Sequence, residues 1–243
     1  MNDAERNNSS FRILSGSALK TIALLTMLLD HTTAIVLSNI PFFTEPLSGI
    51  PGNITLYSIF RLIGRAAFPI YGFLLTEGYL HTRNKEKYGL RLLIFAVISE
   101  ICWDLERSGR LFNSGQNVFF TLFLGLCAIY LYDRFRKDKL SLIMGLAVVF
   151  GVSLILQADY GTPGVGYMLF LYVARKSRIL QGFIGCCFFR PPQNTIPAFI
   201  LISLYNGKRG YIKGRVLQYA FYIIYPLHML ILYLIKLYCF GYQ

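Results

Sequence analysis

Charge is what this chain has least of. Asp, Glu, Lys and Arg make up 15% of its 243 residues, well below the roughly one quarter usual in soluble globular proteins. Such a chain cannot cover itself with a charged, water-facing surface. Several chemical signatures are also missing. No Walker-type phosphate loop, dinucleotide fingerprint or His-Glu-x-x-His metal pattern occurs, and no nucleophilic serine motif, which argues against NTPase, Rossmann-type and zinc-hydrolase readings. Five cysteines (Cys102, Cys127, Cys186, Cys187, Cys239) lie in or beside apolar runs without CxxC or Cys/His ligand spacing. They read as packing residues, and no metal site is expected. The first apolar run lacks a small-residue cleavage site and carries Asp30-His31 at its centre, so it reads as a membrane span and not as a signal peptide. Internal repeats and low-complexity tracts are absent.

What is abundant is apolar sequence. Hydrophobic residues reach 55% and aromatics 16%, in runs that recur along the whole length, so the expected class is an all-α polytopic membrane protein. The expected spans are about 18–38, 55–80, 90–105, 117–132, 140–157, 165–174 and 216–237. Between the last two lie the apolar stretches 179–189 and 196–205, flanking Arg190-Pro-Pro-Gln-Asn194. Each is short for a span, so they read as two thin helices, one broken helix or a re-entrant pair. Counting them as two gives a bundle of about nine transmembrane helices, with eight as the other possibility. The domain expectation is a short basic tail over 1–17 and a single transmembrane domain over 18–243.

The net charge of +12 raises nucleic acid as a partner, but topology accounts for it better. On the nine-helix count all but six of the 24 Lys and Arg residues fall in the N-terminal tail, at the start of the first span, or in four alternate connections. The exceptions are Arg107, Arg110, Arg190 and Lys236 toward the other side, and Arg61 and Arg65 inside the second span. That asymmetry puts the N-terminus in the cytoplasm and the C-terminus outside. Eight spans would leave the cluster Lys208, Arg209, Lys213, Arg215 outside. The expected location is the plasma membrane of a bacterium, with the lipid bilayer as a partner and nucleic acid excluded.

With orientation set, the intramembrane polar residues sort by depth. In the stretch Lys20-Thr-Ile-Ala-Leu-Leu-Thr-Met-Leu-Leu-Asp-His31, helical rotation over eleven residues puts Lys20 and His31 on one face to within roughly 20°. The same residues rise roughly 16 Å, about half the hydrocarbon core, so Lys20 stands at the cytoplasmic edge and His31 near the midplane. Arg61 and Arg65 are four apart on the second span, and Glu100 and Asp104 repeat that spacing on the third, around Trp103. Asp159 and Tyr160 cap the outer end of the fifth span. His228 lies at mid-depth in the last, one turn beyond Tyr225. Glu77 and His81 stand on the cytoplasmic half, His81 at a solvated loop edge. Pro69 and Pro226 inside spans are expected to kink them and release carbonyls.

Buried charges at such depth are costly and point to function. A structural ion network among Arg61, Arg65, Glu100, Asp104 and Asp159 is the plainer reading of the same residues. The chemical set is a histidine beside an acid, arginines nearby and a cationic entrance, and it suits acyl transfer. His31 takes a proton from an attacking hydroxyl or amine, a carboxylate sets its tautomer, and cations hold the developing oxyanion. Asp30 is the acid adjacent in sequence. Neighbours on a helix diverge by about 100°, so Asp30 can equally pair with Arg61 or Arg65 and leave His31 to another acid.

The blocks Leu19-Lys-x-Ile-Ala…Met-Leu-Leu-Asp-His31, Arg61-x-x-Gly-Arg-x-Ala-Phe-Pro-Ile-Tyr71 with Gly78-Tyr79, Asp159-Tyr-Gly-x-x-Gly164 and Tyr222-x-x-Tyr-Pro-x-His228 resemble the TraX family of membrane proteins. The resemblance covers essentially all the expected spans. TraX of conjugative plasmids is associated with N-terminal acetylation of pilin, and the family is similar to a wider group of multi-span acyltransferases. In that group a basic residue, ten intervening residues and a histidine form a first-span motif, which Lys20 and His31 match. The resemblance implies a cytoplasmic acetyl-CoA co-substrate, no permanently bound cofactor, CoA phosphates near Lys20, and a protein or glycan acceptor at the outer face near Asp104 and Asp159. His31 and Asp30 are then the catalytic candidates. Arg61, Arg65, Glu100, Asp104, Asp159, Tyr160, Tyr225 and His228 are candidates for substrate or oxyanion contacts. Two other classes fit the same buried charges: a proton-coupled transporter, against which stands the lack of an inverted repeat, and a non-enzymatic assembly factor of a secretion or conjugation machine.

Overall fold

Long apolar stretches punctuated by capping residues make helices. The computed structural model describes residues 12–189 and 195–241, and among them the chain is helical with no strand. In order the helices are α1 (Gly16–Ile35), a 3-10 turn (Leu37–Asn39), α2 (Pro41–Thr44), α3 (Leu56–Gly64), α4 (Ala67–His81), α5 (Lys85–Ser108), α6 (Val118–Phe135), α7 (Lys139–Ile155), α8 (Gly161–Val173), α9 (Arg178–Gly185), α10 (Ile196–Ser203) and α11 (Arg215–Phe240). Side-chain caps set the starts: Ser15 for α1, a Thr55–Ser58 capping box for α3, Asn84 for α5, Asn117 for α6 and Asp138 for α7. Each satisfies a backbone donor that the helix itself leaves unpaired.

Four helical stretches among the described residues are long and apolar enough to cross a membrane: Gly16–Asn39, Leu56–His81, Val118–Phe135 and Val216–Phe240. The large apolar residues these stretches turn outward fit lipid. On α11, Ile223, Leu227, Ile231 and Leu234 form one exposed stripe, while Tyr225, His228, Met229 and Leu232 are buried. A face so apolar and so open has no place in water.

The two intra-span prolines behave differently. The stretch 55–80, expected as one span, is interrupted at Arg65-Ala66, between α3 and α4. Pro69 lies four residues after Arg65; it has no N–H for that carbonyl and its ring crowds it. The turn closes instead through the shorter-range bond from Ala66 N–H to Ile63 O at 3.2 Å. Helix α11, by contrast, runs unbroken through Pro226. The segment 179–205 forms α9 and α10 of eight residues each. At about 12 Å apiece, neither crosses a hydrocarbon core of about 30 Å by itself. Their connection, residues 190–194 including Arg190, lies outside the described residues, as do residues 1–11 of the expected tail.

Contacts divide the chain into two compact units, residues 12–71 with 195–241 and residues 72–189. In the first, α1 packs against α3 and α11. The start of α1 is tied to the connection that leads into α11. Leu14 N–H donates to Leu204 O at 2.9 Å, and Gly16 and Ser17 N–H donate to Lys208 and Arg209 O at 2.8 Å each. Ser17 Oγ donates to Arg209 O at 2.7 Å and accepts from Ile212 N–H at 2.8 Å. Gly210 makes this possible: its φ is +88°, and a Cβ there would run into Ser15 and Ser17. The clamp starts α1 and α11 at the same end, so they run in the same direction. In the second unit α6 packs against α5, α7 and α8, with Leu124, Ala128, Val149 and Val165 at the centre of its core. Gly125 of α6 lies directly under Met168 of α8, and a Cβ there would push aside the end of the Met168 side chain.

Candidate functional site

In the first unit α1 supplies one wall of a polar seam and α11 the other. Lys20 and His31, expected on one face, both turn to α11. The Lys20 ammonium lies over the Phe221 ring, 4.4 Å from its centre, and 5.7 Å from that of Tyr222, so the aromatic faces hold the cation. Eleven residues on, His31 Nδ1 is 2.6 Å from Nε2 of His228. His228 Nδ1 in turn is 2.9 Å from the carbonyl oxygen of Ile224, one turn back on α11. The imidazole planes are within 3° of parallel with centroids 4.9 Å apart. That separation equals the N···N distance plus the two centre-to-nitrogen radii, so the rings lie end to end in a near-common plane and are not stacked face to face. Tyr225 packs edge-on against both, its centroid 6.1 Å from His31 and 5.5 Å from His228. His228 is buried and His31 half-buried. Nε2 of His31 makes no hydrogen bond among the described residues.

Asp30, the sequence neighbour of His31, faces α3. Its Oδ2 is 2.7 Å from Arg61 Nη1, which also donates to the Asp30 carbonyl at 3.3 Å. Of the partners that sequence left open for Asp30, the structure brings up Arg61, and it gives His31 a second imidazole in place of a carboxylate. The two helices meet here because Gly64 stands opposite: a Cβ at Gly64 would come within 2.5 Å of the Asp30 Cβ and 2.8 Å of its Cα. Arg65, one turn after Arg61, is the C-cap of α3 and exposed.

The remaining candidates belong to the second unit. Glu100 on α5 accepts through Oε2 from the Asn117 backbone at 3.1 Å and from Asn117 Nδ2 at 2.5 Å. Asp104 Oδ2 accepts from the backbones of Phe112 and Asn113 at 2.7 and 3.3 Å. Between them Trp103 Nε1 donates to Gly115 O at 3.1 Å. The carboxylates thus stitch the loop 109–117 to α5. Glu100 Oε1 and Asp104 Oδ1 are buried without hydrogen-bond partners among the described residues. Asp159 N–H donates to Gln116 O at 2.9 Å, and Tyr160 packs edge-on against Phe189. Glu77 meets Arg178 at 3.6 Å and His81 at 3.9 Å, the latter mostly exposed.

Sequence inspection passed over Asp133 altogether. Its Oδ1 accepts from Tyr172 Oη at 3.0 Å, and its Oδ2 accepts from Tyr79 Oη at 3.2 Å and Lys85 Nζ at 3.0 Å, so one carboxylate joins α4, α5, α6 and α8. Burial pulls the Lys85 pKa down, but the bonds to Tyr79 and Asp133 outweigh it and hold the ammonium above the usual lysine value. The available signal was a lone acid just inside the basic exit Arg134-Phe-Arg-Lys137, which reads as ordinary surface. Among the described residues no group of three His, Cys, Asp or Glu comes together to hold a metal, and none of the five cysteines forms a disulfide.

The family model described as TraX protein matches residues 15–236. A "Probable fimbrial assembly protein FimC, serogroup H1" of Dichelobacter nodosus is 32% identical over 248 aligned residues, covering 90% of this chain and 94% of that protein. No solved structure matches.

Proposed function

The chain belongs to the TraX family, and from that premise we propose that it is a membrane-embedded acyltransferase, taking acetyl from cytoplasmic acetyl-CoA to an amine or hydroxyl presented at the outer face. The observation that carries this is the His31–His228 contact at 2.6 Å. It engages one nitrogen of His31 and leaves the other without a protein partner among the described residues, in a seam that also holds Lys20 eleven residues back, with Arg61 on α3 against the adjacent Asp30.

In the reaction the acceptor N–H or O–H attacks the thioester carbonyl, and His31 Nε2 takes the proton as the new N–C or O–C bond forms. Arg61 or Arg65 steadies the oxyanion of the tetrahedral adduct. The adduct collapses, the C–S bond breaks, and the sulfur leaves with the proton held on Nε2. The products are the acetylated acceptor and free CoA thiol, and His31 is regenerated. Acetyl-CoA is a co-substrate throughout, with no resident cofactor. Lys20 receives the CoA phosphates at the cytoplasmic edge. Asp30 serves by holding Arg61.

The shared start and common direction of α1 and α11 support an odd number of crossings, with the N-terminus in the cytoplasm of a bacterial cell. The printed name of the Dichelobacter relative favours an acceptor that belongs to fimbrial or pilus assembly. The same name favours a second reading, a non-enzymatic assembly factor in which the polar seam only holds helices together.

Purified protein in detergent, given acetyl-CoA labelled in the acetyl group, is expected to release CoA thiol and transfer or hydrolyse the label. His31→Ala should remove this activity while elution and thermal unfolding stay those of the parent. Full transfer by His31→Ala would overturn the mechanism. A wild-type protein that neither binds nor turns over acetyl-CoA, from a strain whose deletion loses fimbriae, would favour the assembly factor.

A further inference from the structure

The hydrogen bonds of the two imidazoles fix more than their distance. A carbonyl oxygen can only accept, so the contact of His228 Nδ1 with Ile224 O places a proton on His228 Nδ1. A neutral imidazole carries one N–H, so His228 Nε2 has a lone pair and is the acceptor toward His31. The proton in the 2.6 Å contact therefore sits on His31 Nδ1, and the lone pair of His31 is left on Nε2. The opposite tautomer of His31 would set two lone pairs against each other at that distance. A histidine side chain left to itself favours the proton on Nε2, so this arrangement reverses the ordinary preference.

We propose that His228 is a positioning residue that acts through His31: anchored on the Ile224 carbonyl, it locks His31 as the Nδ1–H tautomer and makes Nε2 the one atom that takes and returns the proton. This rests on the reading of His31 as the proton acceptor. When Nε2 takes the proton of the attacking group, His31 becomes an imidazolium whose Nδ1–H still points at His228 Nε2, and the bond becomes charge-assisted. When the thiol leaves with the Nε2 proton, His31 returns to its starting tautomer. No ring flip and no second proton movement is needed. Coplanarity within 3° aligns the lone pair of His228 with that N–H, and Tyr225, edge-on to both rings, resists rotation about χ2. The anchoring carbonyl, Ile224 O, lies one turn before His228 on the same unbroken helix.

The chain has three histidines, so the test is spectroscopic first. Full-length protein with 15N-labelled histidine in nanodiscs, assigned with His31→Ala, His81→Gln and His228→Gln, is expected to show His31 and His228 both protonated at Nδ1, with a 15N–15N coupling across the hydrogen bond between them. In His228→Phe, which keeps a flat ring but has no acceptor, His31 should revert to the Nε2–H form. In His228→Gln, whose Oε1 falls where Nε2 was, His31 should stay Nδ1–H. Turnover of acetyl-CoA, read as thiol release, should fall about 10- to 100-fold in His228→Phe, in the range of lost outer-shell partners. KM should be unchanged, and most of the rate should return in His228→Gln. A wild-type His31 carrying its proton on Nε2, or a His31 tautomer unmoved by His228→Phe, overturns the proposal whatever the activity. If the tautomers are as expected and no acetyl-CoA turns over, the acyltransferase reading fails while the lock on His31 stands.

Discussion

Asp133 and His31 are both polar residues facing neighbouring helices in an apolar chain, and they are built to opposite ends. In the second unit Asp133 accepts three donors on two oxygens, from Tyr79, Tyr172 and Lys85, and with its bonding capacity so engaged it serves as a rivet for four helices. In the first unit His31 commits one nitrogen to His228 and keeps the other without a hydrogen bond among the described residues. A carboxylate with three of its about four acceptor sites taken by its own fold has little left for a substrate, whereas a held ring with an open nitrogen is oriented for a partner that the fold does not supply. The lesson is to count lone pairs and donors rather than charges when separating a structural polar residue from a chemical one.

Substitutions can sharpen or break that contrast. The largest effect is expected in Arg61→Met, which strands Asp30 against α3. The pair is half-buried, so the loss is expected at the lower end of the about 3–5 kcal/mol for a fully buried pair, read as a lower melting temperature in detergent, and the double variant with Asp30→Asn should recover most of it. If Arg61→Met melts like the parent, the pair is not what holds α1 to α3. Next comes Gly64→Ala, which forces a methyl into Asp30 and should cost about 1–3 kcal/mol of stability, the usual range for overpacking. A neutral result would mean that α1 and α3 are free to separate. Lys20→Ala should raise KM for acetyl-CoA about tenfold, about 1.4 kcal/mol of binding, with kcat unchanged; equal affinity would show the cation serves only its aromatic neighbours. The smallest effect belongs to the rivet. Asp133→Asn keeps its shape and one acceptor oxygen and sits partly exposed, so a loss of about 1 kcal/mol is expected, with kcat for acetyl-CoA untouched. A collapse of kcat at parental stability would move the chemistry into the second unit and erase the contrast.

Much of this was legible before any coordinates. The all-α class follows from apolar runs, and the facing of Lys20 and His31 follows from helical rotation; both side chains do meet α11. Pro69 was expected to kink its span, and the helix is interrupted at Arg65-Ala66, at the carbonyl it cannot satisfy. Pro226 carried the same expectation, and α11 stays helical through it, because one missing hydrogen bond does not outweigh the bonds that carry the rest of a 26-residue helix. Asp133 was illegible: an acid at a basic span exit looks solvated until the hydroxyls of Tyr79 and Tyr172 are seen converging on it.

Sequence alone therefore determined what depends on local geometry: which stretches are helical, which residues of one helix share a face, and where cations collect. Rotation per residue is the same in every helix, so these are readable from spacing. The choice of partners belongs to the tertiary structure. Arg61 meets Asp30 across 31 positions and His228 meets His31 across 197, and such distances are closed by the packing of Gly64 and by the clamp that starts α1 and α11 together. The proton on His31 is the furthest consequence of that packing, since it follows from a carbonyl on another helix.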